Sequence, residues 1–157
     1  SEMMFSGYYK APEETAKVFS DGWLLTGDLG EFDEEGFLKI IGRKKELIVT
    51  STGKKVSPAL LENMLKEHHL ISQAMVYGEG RSFLVALITL NAPGSRETIQ
   101  SIIDNVNRRV SSTESIKRFA ILERDFEIAR DEITPTGKLK RDVITDRFRE
   151  QIEELYK

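Results

Sequence analysis

The segment that most constrains this chain is Phe83-Leu84-Val85-Ala86-Leu87-Ile88-Thr89-Leu90, an almost unbroken apolar run between two turn clusters, Gly78-Glu79-Gly80-Arg81-Ser82 and Asn91-Ala92-Pro93-Gly94-Ser95. A run of this length with such flanks predicts a strand. A strand facing water on one side would alternate, so this one must be covered on both faces, with helices above and below a sheet. The neighbouring segments supply those layers. Gln73 to Tyr77 and Arg118 to Leu122 predict further strands, and Ser57-Pro58 starts a helix carrying Leu60, Leu61, Met64 and Leu65 on one face. Ile99, Ile102, Ile103, Val106 and Val110 recur at helical spacing, as do Ile144, Phe148, Ile152 and Leu155 in a closing helix from about Asp142. Residues 43–157 are therefore expected to form a small α+β (α/β-like) domain, with helices packed on a short mixed sheet.

The upstream part is built differently. Pro12-Glu13-Glu14-Thr15 predicts a short helix, and Trp23-Leu24-Leu25-Thr26 a strand. Phe32 to Ile41 predicts a hairpin in which Gly36 takes the positive φ that a tight turn requires. Glu46 to Val49 and Lys54 to Val56 are expected as short strands around Ser51-Thr52-Gly53. The start, Met3-Met4-Phe5-Ser6-Gly7-Tyr8-Tyr9, has neither a cap nor a signal-peptide pattern and reads as though something upstream were cut away.

Composition removes several classes of function. With no cysteine among 157 residues, disulfide scaffolds, thiolate zinc sites and cysteine nucleophiles are excluded. Twenty-six acidic against 23 basic side chains leave a net charge of −3, which offers no bulk positive field for nucleic acid or anionic lipid. A nucleotide would have to be held by a local site. The longest apolar run falls far short of a transmembrane segment. The two histidines, His68 and His69, are adjacent, point about 100° apart if helical, and make a poor metal grip. Gly78 to Ser82 lacks the third glycine of a phosphate loop and precedes a strand, so it reads as a hairpin turn.

Three positions can carry chemistry. Thr134-Pro135-Thr136-Gly137-Lys138-Leu139-Lys140-Arg141 is a turn that delivers Lys138 just before a helix. Such an ammonium can stabilise charge developing at a phosphate, or it can simply belong to a solvated basic helix start. Asp28, at a strand end beside Gly27 and Gly30, suits vicinal hydroxyls such as those of ribose, or an Asx turn. Arg43 offers a fork of donors to a phosphate or ribose oxygen, or a surface ion pair.

Taken in order, the segments resemble the AMP-forming adenylating superfamily of acyl-CoA synthetases, peptide-synthetase adenylation domains and firefly-type luciferases. The resemblance rests on Gly7-Tyr8-Tyr9 with Pro12, Glu14 and Thr15, and on Thr26-Gly27-Asp28 with Asp33, Gly36, Gly42 and Arg43. Gly53 to Val56 with Pro58 and Glu62, and Pro135-Thr136-Gly137-Lys138, complete it. It implies that residues 1–42 are the end of a large N-terminal adenylate-forming domain, and residues 43–157 the mobile C-terminal lid. It further implies that Asp28 and Arg43 serve the ribose of ATP or AMP and that Lys138 is the catalytic contact to the reacting phosphate and carboxylate. Lys45 would be the hinge, and Thr52 and Gly53 would line the pantetheine channel of CoA, where a side chain at Gly53 would block a narrow tunnel.

Thr134-Pro135-Thr136 and the ending Ile152-Glu153-Glu154-Leu155-Tyr156 resemble long-chain fatty acid CoA ligases. The resemblance therefore implies ATP and CoA as substrates, Mg2+ bound outside these residues and no metal site within them. It implies the missing N-terminal domain as intramolecular partner, a cytoplasmic location compatible with peripheral membrane association, and no activity for the isolated piece. Two other readings stand beside it: the lid of a fatty acyl-AMP ligase or carrier-loading adenylation domain, and a non-catalytic α/β interaction module.

Overall fold

The computed structural model describes residues 5–157, so Met3 and Met4 of the opening segment lie outside the described residues. The chain divides into two compact units, Ser1–Lys45 and Glu46–Lys157. In the first, α1 spans Pro12–Val18, with proline at its start and Glu13 and Glu14 in the first turn, where the helix dipole favours acids. Short strands β1 (Phe19–Ser20) and β2 (Trp23–Leu24) pair next, so the expected strand from Trp23 to Thr26 is only two residues long. The hairpin forms from β3 (Asp28–Phe32) and β4 (Leu38–Arg43), antiparallel, with Gly36 in the turn at φ +85°. Asp33 fixes that turn, because its carboxylate accepts from the Glu35 and Phe37 amides at 3.0 and 2.8 Å.

The second unit is organised around the apolar run. A 3-10 turn at Lys44–Glu46 precedes β5 (Ile48–Val49) and β6 (Lys55–Val56), so Glu46 is not part of the strand expected for it. Helix α2 (Pro58–Lys66) follows, with Ser57 at the N-cap position and Pro58 in the first turn. Strands β7 (Ile71–Tyr77) and β8 (Leu84–Leu90) are antiparallel, and β9 (Ile116–Ile121) lies parallel to β8 on its other side. The parallel pair needs a crossover, which α3 (Arg96–Asn107) provides. The three-stranded sheet is thus mixed, with β8 in the centre.

The pleat of β8 explains why its sequence is apolar throughout. Leu84, Ala86 and Ile88 join a core with Leu61 and Leu65 of α2 and Ile99 and Ile103 of α3. Leu87 faces a second core with Met75, Phe126, Ile144 and Ile152. Both faces are covered, and every residue from Leu84 to Thr89 is buried. Thr89, the one polar member, donates its hydroxyl to Asp125 and accepts the Gln73 amide at 3.0 Å.

The closing helix differs from the single element expected from about Asp142. It is two helices, α4 (Arg141–Arg147) and α5 (Arg149–Glu154), separated at Phe148, whose torsions (φ −103°, ψ 24°) leave the helical region. The amides of Phe148 and Ile152 still reach the carbonyls four residues back, at 2.9 Å each, so the apolar face survives the break. The two histidines sit at the end of α2, just past its C-cap Glu67, with stacked rings 4.6 Å apart, and His68 Nδ1 accepts the Leu70 amide.

Candidate functional site

Residues 132–141 form a narrow excursion from the second core. The Glu132 carbonyl accepts the Lys140 amide at 2.8 Å, and Ile133 bridges Leu139. The Thr134 amide donates to the Lys138 carbonyl at 2.8 Å and the Gly137 amide to the Thr134 carbonyl at 2.9 Å. Thr134 also accepts the Lys138 amide on its hydroxyl at 3.0 Å and exchanges a hydrogen bond with the Thr136 hydroxyl. Thr134 is therefore consumed in shaping the loop. At its base Ile133 and Leu139 pack against the second core, whereas Pro135 to Lys138 are exposed. The Lys138 ammonium has no ion-pair partner among the described residues, which leaves its charge available to an incoming anion.

Both feet of this loop are tied to buried carboxylates. Glu132, with a side chain 0% exposed, receives Arg124 through two nitrogens at 2.7 Å each, Arg147 Nε at 3.2 Å and the Glu127 amide at 3.0 Å. Those hydrogen bonds, chiefly from Arg124, hold the Glu132 carboxyl below the usual carboxylate range despite the opposing cost of burial. Glu62, also buried, accepts Arg141 through both guanidinium ends at 2.8 and 2.7 Å and the Val76 amide at 2.8 Å. In the sequence Arg141 looks like added charge without specificity, yet both of its terminal nitrogens are bonded to Glu62. A signal exists: Glu62 sits between Leu61 and Leu65 on a helix, where a buried charge has to be paired.

The first unit holds the other pair of candidates. Asp28 and Arg43 are opposite one another in the β3–β4 register, and Arg43 Nε lies 2.9 Å from Asp28 Oδ1. The surface ion pair and the ribose role are compatible, because one such contact leaves most of the carboxylate's acceptor capacity unused. In the same unit Thr15 accepts the Tyr8 amide at 2.9 Å and donates to the Ala11 carbonyl, so the Gly7-Tyr8-Tyr9 segment and Thr15 are physically one motif.

Thr52 and Gly53 lie in the β5–β6 turn, closed by the Gly53 amide on the Thr50 carbonyl at 2.8 Å and by the Thr50 and Thr52 hydroxyls 2.9 Å apart. Gly53 has φ +76°, and a Cβ there would meet nothing within 4 Å. The visible reason for glycine is therefore its left-handed backbone. This turn is anchored on the β7–β8 hairpin: Glu79 accepts the Val49 amide at 2.9 Å, and the Ser51 amide donates to the Arg81 carbonyl at 2.9 Å. Lys45 occupies the 3-10 turn where one unit gives way to the next. The structure thus brings Asp28 and Arg43 together, while Lys138 and the Thr52–Gly53 turn sit in different loops of the second unit. No three His, Asp or Glu side chains gather as metal donors among the described residues, and none of the helices described is long and apolar enough to cross a membrane.

Comparison with known proteins points in one direction. Over 98% of its length the chain is 42% identical to the long-chain-fatty-acid–CoA ligase FadD15 of Mycobacterium tuberculosis, of which it spans 30%. It superposes on the adenylation domain of a carboxylate reductase from Mycobacterium chelonae with a TM-score of 0.79 and 29% identity, covering 99% of this chain and 26% of that one. The adenylation and carrier didomain of a carboxylic acid reductase from Segniliparus rugosus, solved with AMP, gives 0.76 and 30%, over 96% of this chain and 23% of that one. The family model for the AMP-binding enzyme C-terminal domain matches residues 45–157, which include the loop that presents Lys138 and the buried pairs at its feet. By that match, and by the small mixed α/β architecture that goes with it, the chain belongs to the AMP-binding enzyme C-terminal domain family.

Proposed function

We propose that this chain is the C-terminal part of an ATP-dependent ligase that joins a long-chain fatty acid to CoA through an acyl-adenylate, releasing AMP and diphosphate. The observation that carries this reading is the 42% identity to a long-chain-fatty-acid–CoA ligase along 98% of the chain. Residues 1–42 are then the tail of the large adenylate-forming domain, and residues 43–157 its mobile lid. Large exposed apolar side chains at Trp23, Phe32, Phe37 and Ile40 support the first assignment, because such surface is normally covered.

In the adenylation step a carboxylate oxygen of the fatty acid attacks the α-phosphorus of ATP, and the bond to diphosphate breaks. Lys138 supplies a cation where negative charge grows, and a positioned charge of this kind acts mainly on the transition state. Asp28 accepts from the ribose hydroxyls, with Arg43 orienting its carboxylate. Lys45 is the hinge about which the lid turns for the second step, in which the CoA thiol attacks the acyl carbonyl and AMP leaves; Thr52 and Gly53 line the thiol's approach. Mg2+ would be held by residues outside this chain, whose own side chains bind the nucleotide, orient it and move with the lid. A cytoplasmic location with peripheral membrane contact suits a lipid substrate.

The test is fatty-acid-dependent ATP–diphosphate exchange and acyl-CoA formation by the intact ligase; absence of both from the wild-type protein contradicts the reading. Likeness to a carboxylate reductase adenylation domain favours a second reading, transfer to a carrier-protein thiol, and discharge of the adenylate by a carrier but not by CoA would select it. The 157-residue chain alone is expected to show no ligase activity and only weak ATP affinity, which calorimetric detection of micromolar binding would contradict.

A further inference from the structure

Lys138 stands on an exposed loop tip, yet an ion pair to a buried carboxylate holds each of the two feet of that loop. At one foot Glu132 is fully buried and receives the Arg124 fork, Arg147 and the Glu127 amide. At the other foot Arg141, three residues after Lys138, is gripped through both ends by Glu62, which also takes the Val76 amide from the central sheet. An exposed tip could be held by packing of Ile133 and Leu139 alone, at no cost in buried charge. Two buried carboxylates are expensive to desolvate and are stable only when fully paired, so their placement at both ends of one loop calls for a reason. Planar forks fix direction as well as distance, which apolar packing does not.

We propose that Glu62 and Glu132 are positioning residues, with Arg141 and with Arg124 and Arg147 as their clamps, that hold the loop so that Lys138 is delivered from a fixed backbone. They touch neither substrate nor reacting atoms and act only through the loop. A long, flexible lysine on a wandering loop would spend its interaction energy on ordering itself; fixing the backbone beforehand leaves more of it for the transition state. The clamps belong to the lid's own fold, so the loop keeps its shape as the lid moves. The proposal rests on the role assigned to Lys138 above.

Two measurements test it. In the 157-residue chain, amide hydrogen exchange is followed at Thr134 and Lys138 and, as reference, at Ala86 and Leu87 of β8, in Glu132→Gln and Arg141→Lys. Lysine keeps the charge at Arg141 but loses the fork. Exchange at the loop amides is expected to rise about tenfold or more beyond any rise at the β8 amides, which report the loss of global stability. Parallel loss at both places would make the pairs merely structural, and an unchanged loop would overturn the clamp outright. If Glu132→Gln does not fold, Arg124→Lys, which leaves Arg147 on Glu132, takes its place. In the intact ligase the same variants should lower the maximal rate of adenylation about tenfold or more, leave the KM for ATP nearly unchanged, and spare thioester formation from supplied acyl-adenylate. Equal loss in both half-reactions would contradict a positioning role. A wild-type ligase without adenylation activity would instead sink the functional reading, an outcome distinct from normal adenylation with an insensitive loop.

Discussion

Residues 5–45 and residues 46–157 both carry many large apolar side chains and are opposite in what they do with that surface. In the second unit Leu84 to Ile88, Ile99, Ile103, Phe119 and Ile144 are buried, and its core has two sides. In the first no described residue is buried, and Tyr9, Trp23, Leu25, Phe32, Phe37, Leu38 and Ile40 are more than half exposed. Two-stranded hairpins are marginal by themselves and need a further layer to rest on. Apolar content alone therefore does not make a domain; a second layer to cover it does.

Separating the units puts this contrast under the greatest strain. A chain of residues 46–157 is expected to unfold cooperatively with almost the midpoint of the longer chain, and a peptide of residues 1–45 to lack stable structure by circular dichroism. A folded short peptide, or a non-cooperative long one, would reverse the contrast. Next in size, Leu87→Ala in the centre of β8 should cost about 2–5 kcal/mol in denaturant unfolding, because it opens a cavity between covered faces. Glu132→Ala should cost about 3 kcal/mol by leaving Arg124 and Arg147 around a vacated site.

The same residue probes the second unit through pH. Glu132 has its carboxyl held below the ordinary value of 4.5, first by the Arg124 hydrogen bonds. Its contribution is therefore fully present above that value and is lost as pH falls through the lower folded value. The stability gap between the wild type and Glu132→Gln should shrink on acidification below 4.5, and a constant gap would show that the charge contributes nothing. The smallest effect is expected in the first unit, where Phe37→Ser should change unfolding of the chain by less than about 0.5 kcal/mol. A larger loss would mean that the hairpin shares the second unit's stability.

Much of this architecture is legible in the sequence because pattern and burial agree. The run from Phe83 to Leu90 demands two covered faces, and Ile99, Ile102, Ile103 and Val106 are all buried along α3. The break at Phe148 leaves no trace in the pattern, because the spacing of Ile144, Phe148 and Ile152 is unaltered by one displaced torsion. Trp23 to Thr26 reads as a longer strand because β propensity says nothing about the available partner, here only Phe19 and Ser20. Lys138 is visible from its turn residues and motif. Of its anchors, Glu62 shows only as a charge between Leu61 and Leu65; its partner does not show, since Glu62 and Arg141 are 79 positions apart and long-range pairing leaves no local periodicity.

The assignment of Lys138 to the adenylation step of an acyl-activating ligase underlies all of the chemistry proposed for this chain. Lys138→Ala in the intact enzyme puts it to proof, with diphosphate exchange and thioester formation from supplied acyl-adenylate measured side by side. Exchange should fall by about two orders of magnitude or more, as when a preorganised charge is removed from a transition state, while the thioester step stays within about threefold of wild type. Equal loss in the two steps, or unaltered exchange, would contradict the assignment.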